Sequence, residues 1–352
     1  MKLSRKFGMA IATLSTAILL AGCSGGSGGN PTTAPSGPAD GGNYVVGVSN
    51  TVSGNGWREQ MICSVKAQAL ASGKVSKVIV VSKNGGPTDQ ITDIQNLISQ
   101  GVKILIIDPS DPEKLNPVID EAIKRGIVVV AVDQGVTAKD AYVFANNQVE
   151  WGKVGAEWLF KQIGGEGNVL YMRGAAGAQA DTDRNTGFQE ALKAYPDIKI
   201  KEVYTDWDYT KAGQIAVQQF TSADYAGVWG SGPDYTVVNA FKAANKTPVP
   251  VVGQDTNEFI NQLVNGAKGA VVTNPSVVGG GGLAIALKVL AGDKVEHETL
   301  LTPQLWDMAS AKDKLVAAYN PDRDATANAQ LTIDGYTTYS DEQLLACKGP
   351  GE

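Results

Sequence analysis

The stretch VKILIIDPSDPEKLNPVIDEAIKRGIVVVAVDQ, residues 102–134, decides the fold. Its two ends, 102–107 and 127–132, are runs rich in Ile and Val, apolar throughout except for Lys103. Such runs read as strands buried on both faces. Between them, residues 113–125 read as a helix closed by Gly126. Working outward, residues 44–48 form another β-branched run, followed by a helix over 57–71 and a strand over 78–81. A helix over 89–100 follows, with Ile91, Ile94, Leu97 and Ile98 at helical spacing and Gly101 just past its end. Apolar strands separated by amphipathic helices predict an α/β fold with a parallel sheet covered on both faces.

The rhythm then restarts. Helices are expected over 151–163, 183–194, 210–221, 235–244 and 258–265, with strands over 168–172, 198–204, 227–229, 249–252 and 269–273. Two successive doubly wound halves predict two Rossmann-like lobes. Ligands of such sheets sit beyond the carboxyl ends of the strands, and two facing lobes share one cleft there.

The residues after each strand are therefore the candidate site. They include Asn55, Trp57 and Arg58 after the first strand, Asp111 after the third, and Asp133 and Gln134 after the fourth. Later ends supply Gln148, Arg184, Trp207, Asp234, Asp255 and Asn274. Carboxylates, amides and guanidinium groups together suit a neutral polyhydroxyl ligand, because each hydroxyl both donates and accepts. Indole faces pack against sugar C–H groups. Any one of these residues alone reads equally well as a helix cap or turn residue. Their recurrence after nearly every strand favours binding.

The first residues add a compartment. Lys2, Arg5 and Lys6 precede an apolar run over 7–20, too short to span a bilayer comfortably. It ends in Leu20-Ala21-Gly22-Cys23, which resembles the bacterial lipoprotein signal, with Cys23 as the lipidated residue. A plain signal peptide or an anchor helix with an incidental cysteine is the alternative. The Gly-, Ser- and Pro-rich stretch that follows has almost no apolar side chains to bury, so residues 23–43 read as a flexible tether after a signal over 1–22. The chain carries 30 basic and 36 acidic residues. Without Lys2, Arg5 and Lys6 there are 27 basic residues against 36 acidic. No basic patch invites nucleic acid. In an oxidising compartment Cys63 and Cys347 remain as an even pair, read as a disulfide, with two separate buried thiols as the alternative. One histidine, His297, and no Cys/His spacing argue against a metal site.

Several segments resemble the type I periplasmic binding proteins, in the ribose-type sugar-importer family. They are Asp108-Pro109-Ser110-Asp111, Val132-Asp133-Gln134, Arg184-Asn185-Thr186-Gly187-Phe188, Asp206-Trp207-Asp208 and Val252-Gly253-Gln254-Asp255, in family order. The resemblance implies aromatic clamps at Trp57 and Trp207 and central hydroxyl-binding residues at Asp111, Arg184 and Asp255. Asn274 stands where the family often has Gln. Gln134 replaces the Arg of ribose-type members, Pro233-Asp234 replaces an Asn-Asp pair, and Arg58 occupies a site often aromatic. Those departures point away from ribose itself and leave a pentose, a hexose or a linear sugar alcohol.

The implied architecture is an N-terminal lobe over 44–146 plus about 275–303, and a C-terminal lobe over 147–274 plus about 304–340, with a tail over 341–352. Three hinge strands would cross near 144–147, 273–277 and 301–305. The implied function is a monomeric, extracytoplasmic, lipid-anchored receptor without cofactor, closing on its sugar or polyol and docking on an ABC permease driven by its ATPase. A tail tied by Cys347 to Cys63 would staple the lobes near the hinge. No nucleophile elbow, phosphate loop or histidine base suggests an enzyme; the glycine run Gly279 to Gly282 reads as a close helix contact. A sensory receptor for a sugar-like signal and an amino-acid receptor using Arg58, Arg184, Asp111 and Asp255 are the competing readings.

Overall fold

The computed structural model describes residues 42–352; the signal-like segment, Cys23 and most of the proposed tether lie outside them. Two six-stranded sheets form two lobes. In the first sheet the strands are β1 (Tyr44–Asn50), β2 (Val75–Ser82), β3 (Ile104–Asp108), β4 (Val128–Val132), β5 (Tyr142–Asn146) and β11 (Glu298–Leu301). Their order is β11-β5-β4-β3-β1-β2, and every pairing is parallel. The second sheet holds β6 (Glu166–Arg173), β7 (Asp197–Tyr204), β8 (Gly227–Trp229), β9 (Val251–Gln254), β10 (Gly269–Val272) and β12 (Leu305–Asp307). Its order is β12-β10-β9-β8-β6-β7, parallel except where β12 runs antiparallel to β10.

The apolar runs have the physical reason the sequence suggests. Along β3, Ile104 and Ile106 enter one core cluster while Leu105 and Ile107 enter another on the opposite face. Along β6, Leu170 and Met172 face one cluster, and Val169 and Tyr171 the other. Successive side chains of a strand point to opposite faces, so a strand covered on both sides must be apolar throughout.

Helices α1 (Gly56–Ser72), α2 (Pro87–Ser99), α3 (Asn116–Lys124) and α9 (Val278–Leu290) cover the first sheet. Helices α4 (Gln148–Gln162), α5 (Gln179–Leu192), α6 (Tyr209–Ser222), α7 (Asp234–Ala243) and α8 (Asn257–Val264) cover the second. The glycine run lies inside the first turns of α9, where its backbone approaches its neighbours closely. A Cβ on Gly279 would lie 2.5 Å from the Met61 carbonyl oxygen, and one on Gly281 would lie 2.2 Å from the Phe144 ring.

The chain passes between lobes from β5 to α4, from β10 to α9 and from β11 to β12. It then crosses once more. After α10 (Lys312–Ala318), residues 320–329 run along α8, and Leu331, Tyr339 and Leu344 join Ala67 and Val277 in a cluster on the first lobe. Residues 331–340 therefore pack on the first lobe, whereas the architecture implied by the resemblance carried them with the second. Apolar Leu331, Ile333 and Tyr336 find their burial against α1 and α9. The short helix α11 (Asp341–Ala346) ends at Cys347, whose disulfide to Cys63 on α1 holds the Cα atoms 4.5 Å apart.

Candidate ligand-binding site

Between the carboxyl ends of the two sheets lies a narrow pocket with a free volume of about 30 Å³. Its walls include Asn55, Trp57, Arg58, Asp133, Arg184, Trp207 and Asn274, all expected from strand-end position.

Local folding sets each wall. Asn55 caps α1, its side-chain oxygen accepting from the Trp57 and Arg58 amides at 3.0 and 3.3 Å. The cap begins the helix at the pocket and puts the next two side chains into it. Trp57 Nε1 donates to the Asn274 carbonyl at 2.7 Å, which fixes the indole edge. On the far wall Trp207 has φ 56, a left-handed backbone costly for a bulky residue. Its indole rests on the backbone of Gly174, where a Cβ would lie 2.1 Å from the ring, and its Nε1 donates to Ser231 Oγ at 3.1 Å. Asp133 is also left-handed, with φ 64, where the chain leaves β4. Backbone outliers of this kind cluster at functional sites.

The charges are largely matched within the protein. Arg58 is buried, ion-paired with Asp108, 3.5 Å from Asp133, and donates to Asn50 Oδ1 at 3.1 Å. Burial pulls its pKa down and Asp133 opposes that. Burial likewise raises Asp133, against the pull of Arg58, Arg184 and a hydrogen bond from Gln148. Arg184 donates Nε to Gln148 Oε1 at 2.8 Å and Nη1 to Ser231 Oγ at 3.0 Å, and its guanidinium lies 4.2 Å from the Trp151 ring centroid. Among the described residues it has no ion-pair partner. The walls thus offer guanidinium and amide donors, carboxylate and hydroxyl acceptors, and two indoles.

Five expected residues do not line this pocket. Asp111 stands in a neighbouring opening that Arg58 and Trp207 also line, accepting from the Glu113 and Lys114 amides at 3.0 and 2.8 Å and pairing with the Lys114 ammonium. Those bonds hold its carboxyl down at about 2. Asp108, three residues earlier, faces Arg58 instead. Gln134 and Gln148 are buried spacers that join the lobes. Gln134 Oε1 accepts from the Ala180 amide at 3.1 Å, and Gln148 Nε2 donates to Asp133 Oδ1 at 3.0 Å. Asp234 lies behind the wall, accepting from the Gly232 and Gln254 amides at 3.1 and 2.7 Å. Its carboxyl fills a slot left by Gly253, whose Cβ would sit 2.1 Å away, and burial raises it to about 7. Asp255 accepts from the Asn274 amide at 2.8 Å, Asn328 Nδ2 at 2.9 Å and Gln330 Nε2 at 3.3 Å. The protein itself engages each of these carboxylates and amides, although Asp234 Oδ1 is left buried without a hydrogen-bond partner.

Tyr209, Ser231 and Gln254 line the pocket without having been expected there. Gln254 is the neighbour of Asp255, and one step along a strand exchanges the two faces. Ser231 follows β8 as Asp234 does, and Tyr209 opens α6 two residues after Trp207. Strand-end position flags the segments; only facing selects the residue.

A family model for the periplasmic binding protein domain matches residues 46–294. The chain belongs to the periplasmic binding protein family. The pocket therefore lies at the interlobe position of a fold used by solute-binding proteins. The ribose import binding protein of Salmonella typhimurium is 27% identical over 272 residues, covering 72% of this chain and 92% of that protein. The xylitol-binding protein of Mycolicibacterium smegmatis is 28% identical over 225 residues, covering 62% of this chain and 64% of that protein. The crystal structure of an ABC transporter solute binding protein from Thermobispora bispora superposes with TM-score 0.73 at 28% identity, covering 80% of this chain and 90% of that one. Among the described residues no helix of this periplasmic binding protein is long and apolar enough to cross a membrane.

Proposed function

We propose that this protein is an extracytoplasmic receptor that binds a monosaccharide or a sugar alcohol between its lobes and delivers it to an ABC permease and ATPase. The observation that carries this reading is the pocket wall itself: Trp57 and Trp207 with Arg184, Asn55, Gln254 and Ser231 around a small interlobe gap. Indoles cover C–H faces, and the polar groups exchange hydrogen bonds with hydroxyls. Each bond nets about 0.5–1.5 kcal/mol, while a buried group left unpaired costs about 1–3 kcal/mol, so stereochemistry is read mainly through that penalty. Relatives named for ribose, xylitol and galactofuranose support a sugar-like cargo.

An amino-acid cargo is less well supported. It needs separate partners for ammonium and carboxylate, and Arg58, Asp111 and Asp255 are already engaged. In the proposed mechanism the open lobes admit the ligand, which favours closure by bridging both walls. A lipid on Cys23 keeps the monomeric receptor near its permease and raises their effective concentration.

The test is a thermal-shift screen of the chain against pentoses, hexoses, polyols, furanoses and amino acids. A ligand at about 100 times its dissociation constant adds about 2.7 kcal/mol of stability. A sugar or polyol hit that disappears in Arg184→Ala supports the reading. A response to amino acids alone overturns it.

A further inference from the structure

The C-terminal segment does more than trail from the second lobe. Asn328 is fully buried where the lobes meet. On the second lobe its Nδ2 donates to Asp255 Oδ1 at 2.9 Å, the Ala329 amide donates to the Asp255 carbonyl at 2.9 Å, and the Asn257 amide donates to the Ala327 carbonyl at 2.8 Å. On the first lobe its backbone meets α1. The Asn328 amide donates to Gln60 Oε1 at 2.8 Å, and Gln60 Nε2 returns a bond to the Asn328 carbonyl at 3.2 Å. Nearby, Thr326 presses on the start of α1, where a Cβ on Gly56 would lie 2.1 Å from Thr326 Oγ1. Asn328 Nδ2 also reaches the Asn274 carbonyl at 3.3 Å, the same oxygen that receives Trp57 Nε1. The segment thus abuts the helix turn that carries Asn55, Trp57 and Arg58.

We infer that the Gln60–Asn328 pair is a latch between lobes, through which the C-terminal segment stabilises the closed arrangement and positions the Trp57 wall. Gln60 lies outside the pocket and is half-buried, so it acts as a positioning residue and not as a ligand contact. Separation of α1 from the second lobe breaks both of its bonds. The latch operates without ligand and so stands apart from the sugar reading.

Closure has a direct reporter. The Ala180 amide, in the first turn of α5, donates across the cleft to Gln134 Oε1. Hydrogen exchange at that amide, followed by NMR on the intact chain with no ligand present, reads the open population. Gln60→Met keeps the bulk of the side chain and removes both bonds. It should speed Ala180 exchange by about 5–30-fold, the effect of losing one or two net hydrogen bonds, while Ile106 in the centre of β3 exchanges as before. Gln60→Glu keeps the acceptor for the Asn328 amide and should give an intermediate rate. The paired substitution Cys63→Ser and Cys347→Ser frees the far end of the segment and should leave the Ala180 rate unchanged. An unaltered Ala180 rate in Gln60→Met, or an equal rise at Ile106, overturns the inference.

Discussion

Asn55 Nδ2 donates to the carbonyl of Trp207 at 3.3 Å, so the cap of the first helix on one lobe touches the left-handed turn that carries the indole on the other. The two walls are thereby held together at the mouth of the pocket. Ligand affinity depends on that arrangement as much as on the groups that touch the ligand, since closure and binding are linked.

The Trp207 seat predicts the first result. In Gly174→Ala the new methyl displaces the indole, because the two overlap. Binding of the sugar found by thermal shift should weaken by about 1.5–3 kcal/mol, or roughly ten- to a hundred-fold, as in Trp207→Ala. Titration calorimetry on both variants checks this. Unchanged affinity in Gly174→Ala would remove Trp207 from the binding wall.

Asp234 predicts a pH dependence. Burial raises its carboxyl to about 7 in the folded chain, above the ordinary carboxylate value it has when unfolded. The folded state therefore holds a proton that the unfolded state has lost between about pH 4 and pH 7. This contribution to stability is present below that window and disappears as pH rises through it. Asp234→Asn keeps an acceptor for the Gly232 and Gln254 amides and removes the titration. Denaturant curves across the window should lose a falling slope of up to about 1.4 kcal/mol per pH unit.

Arg58 predicts a loss of stability before any loss of function. Arg58→Met leaves Asp108 and Asp133 buried without their common cation. Removing one partner of a buried pair costs about 3–5 kcal/mol. A urea midpoint that falls with an unchanged slope is the expected reading. Charge-neutral replacement of the partners as well, in Arg58→Met with Asp108→Asn and Asp133→Asn, should recover part of the loss.

Asp111 predicts no change. Its carboxylate is spent on local amides and on Lys114. Asp111→Ala should keep ligand affinity within about two-fold of the parent, an energy difference below RT. A larger drop in calorimetry would return Asp111 to the binding set.

Much of this was legible in the sequence. The runs at 104–107 and 128–132 had to be strands covered on both faces, because nothing polar interrupts them. Asn55, Trp57, Asp133 and Trp207 could be placed near a cleft from chain position alone, since strand ends are local features. What was not legible is which member of a strand-end cluster points inward. Asp108 and Asp111, or Gln254 and Asp255, differ by facing, and facing depends on twist and on the turn that follows each strand. Ser231 and Tyr209 carried no distinguishing signal, because a single Ser or Tyr after a strand is common.

The sequence by itself determined the layering, the two repeated halves and the approximate rim of the pocket, because burial on both sides of a sheet imposes an apolar pattern residue by residue. The tertiary structure alone decided that Asp255 is held by Asn328 and Gln330, and that residues 331–340 return to the first lobe. Those contacts join residues far apart in the chain. No local periodicity encodes them; they arise from how two finished lobes and a polar segment satisfy each other's buried hydrogen-bonding groups.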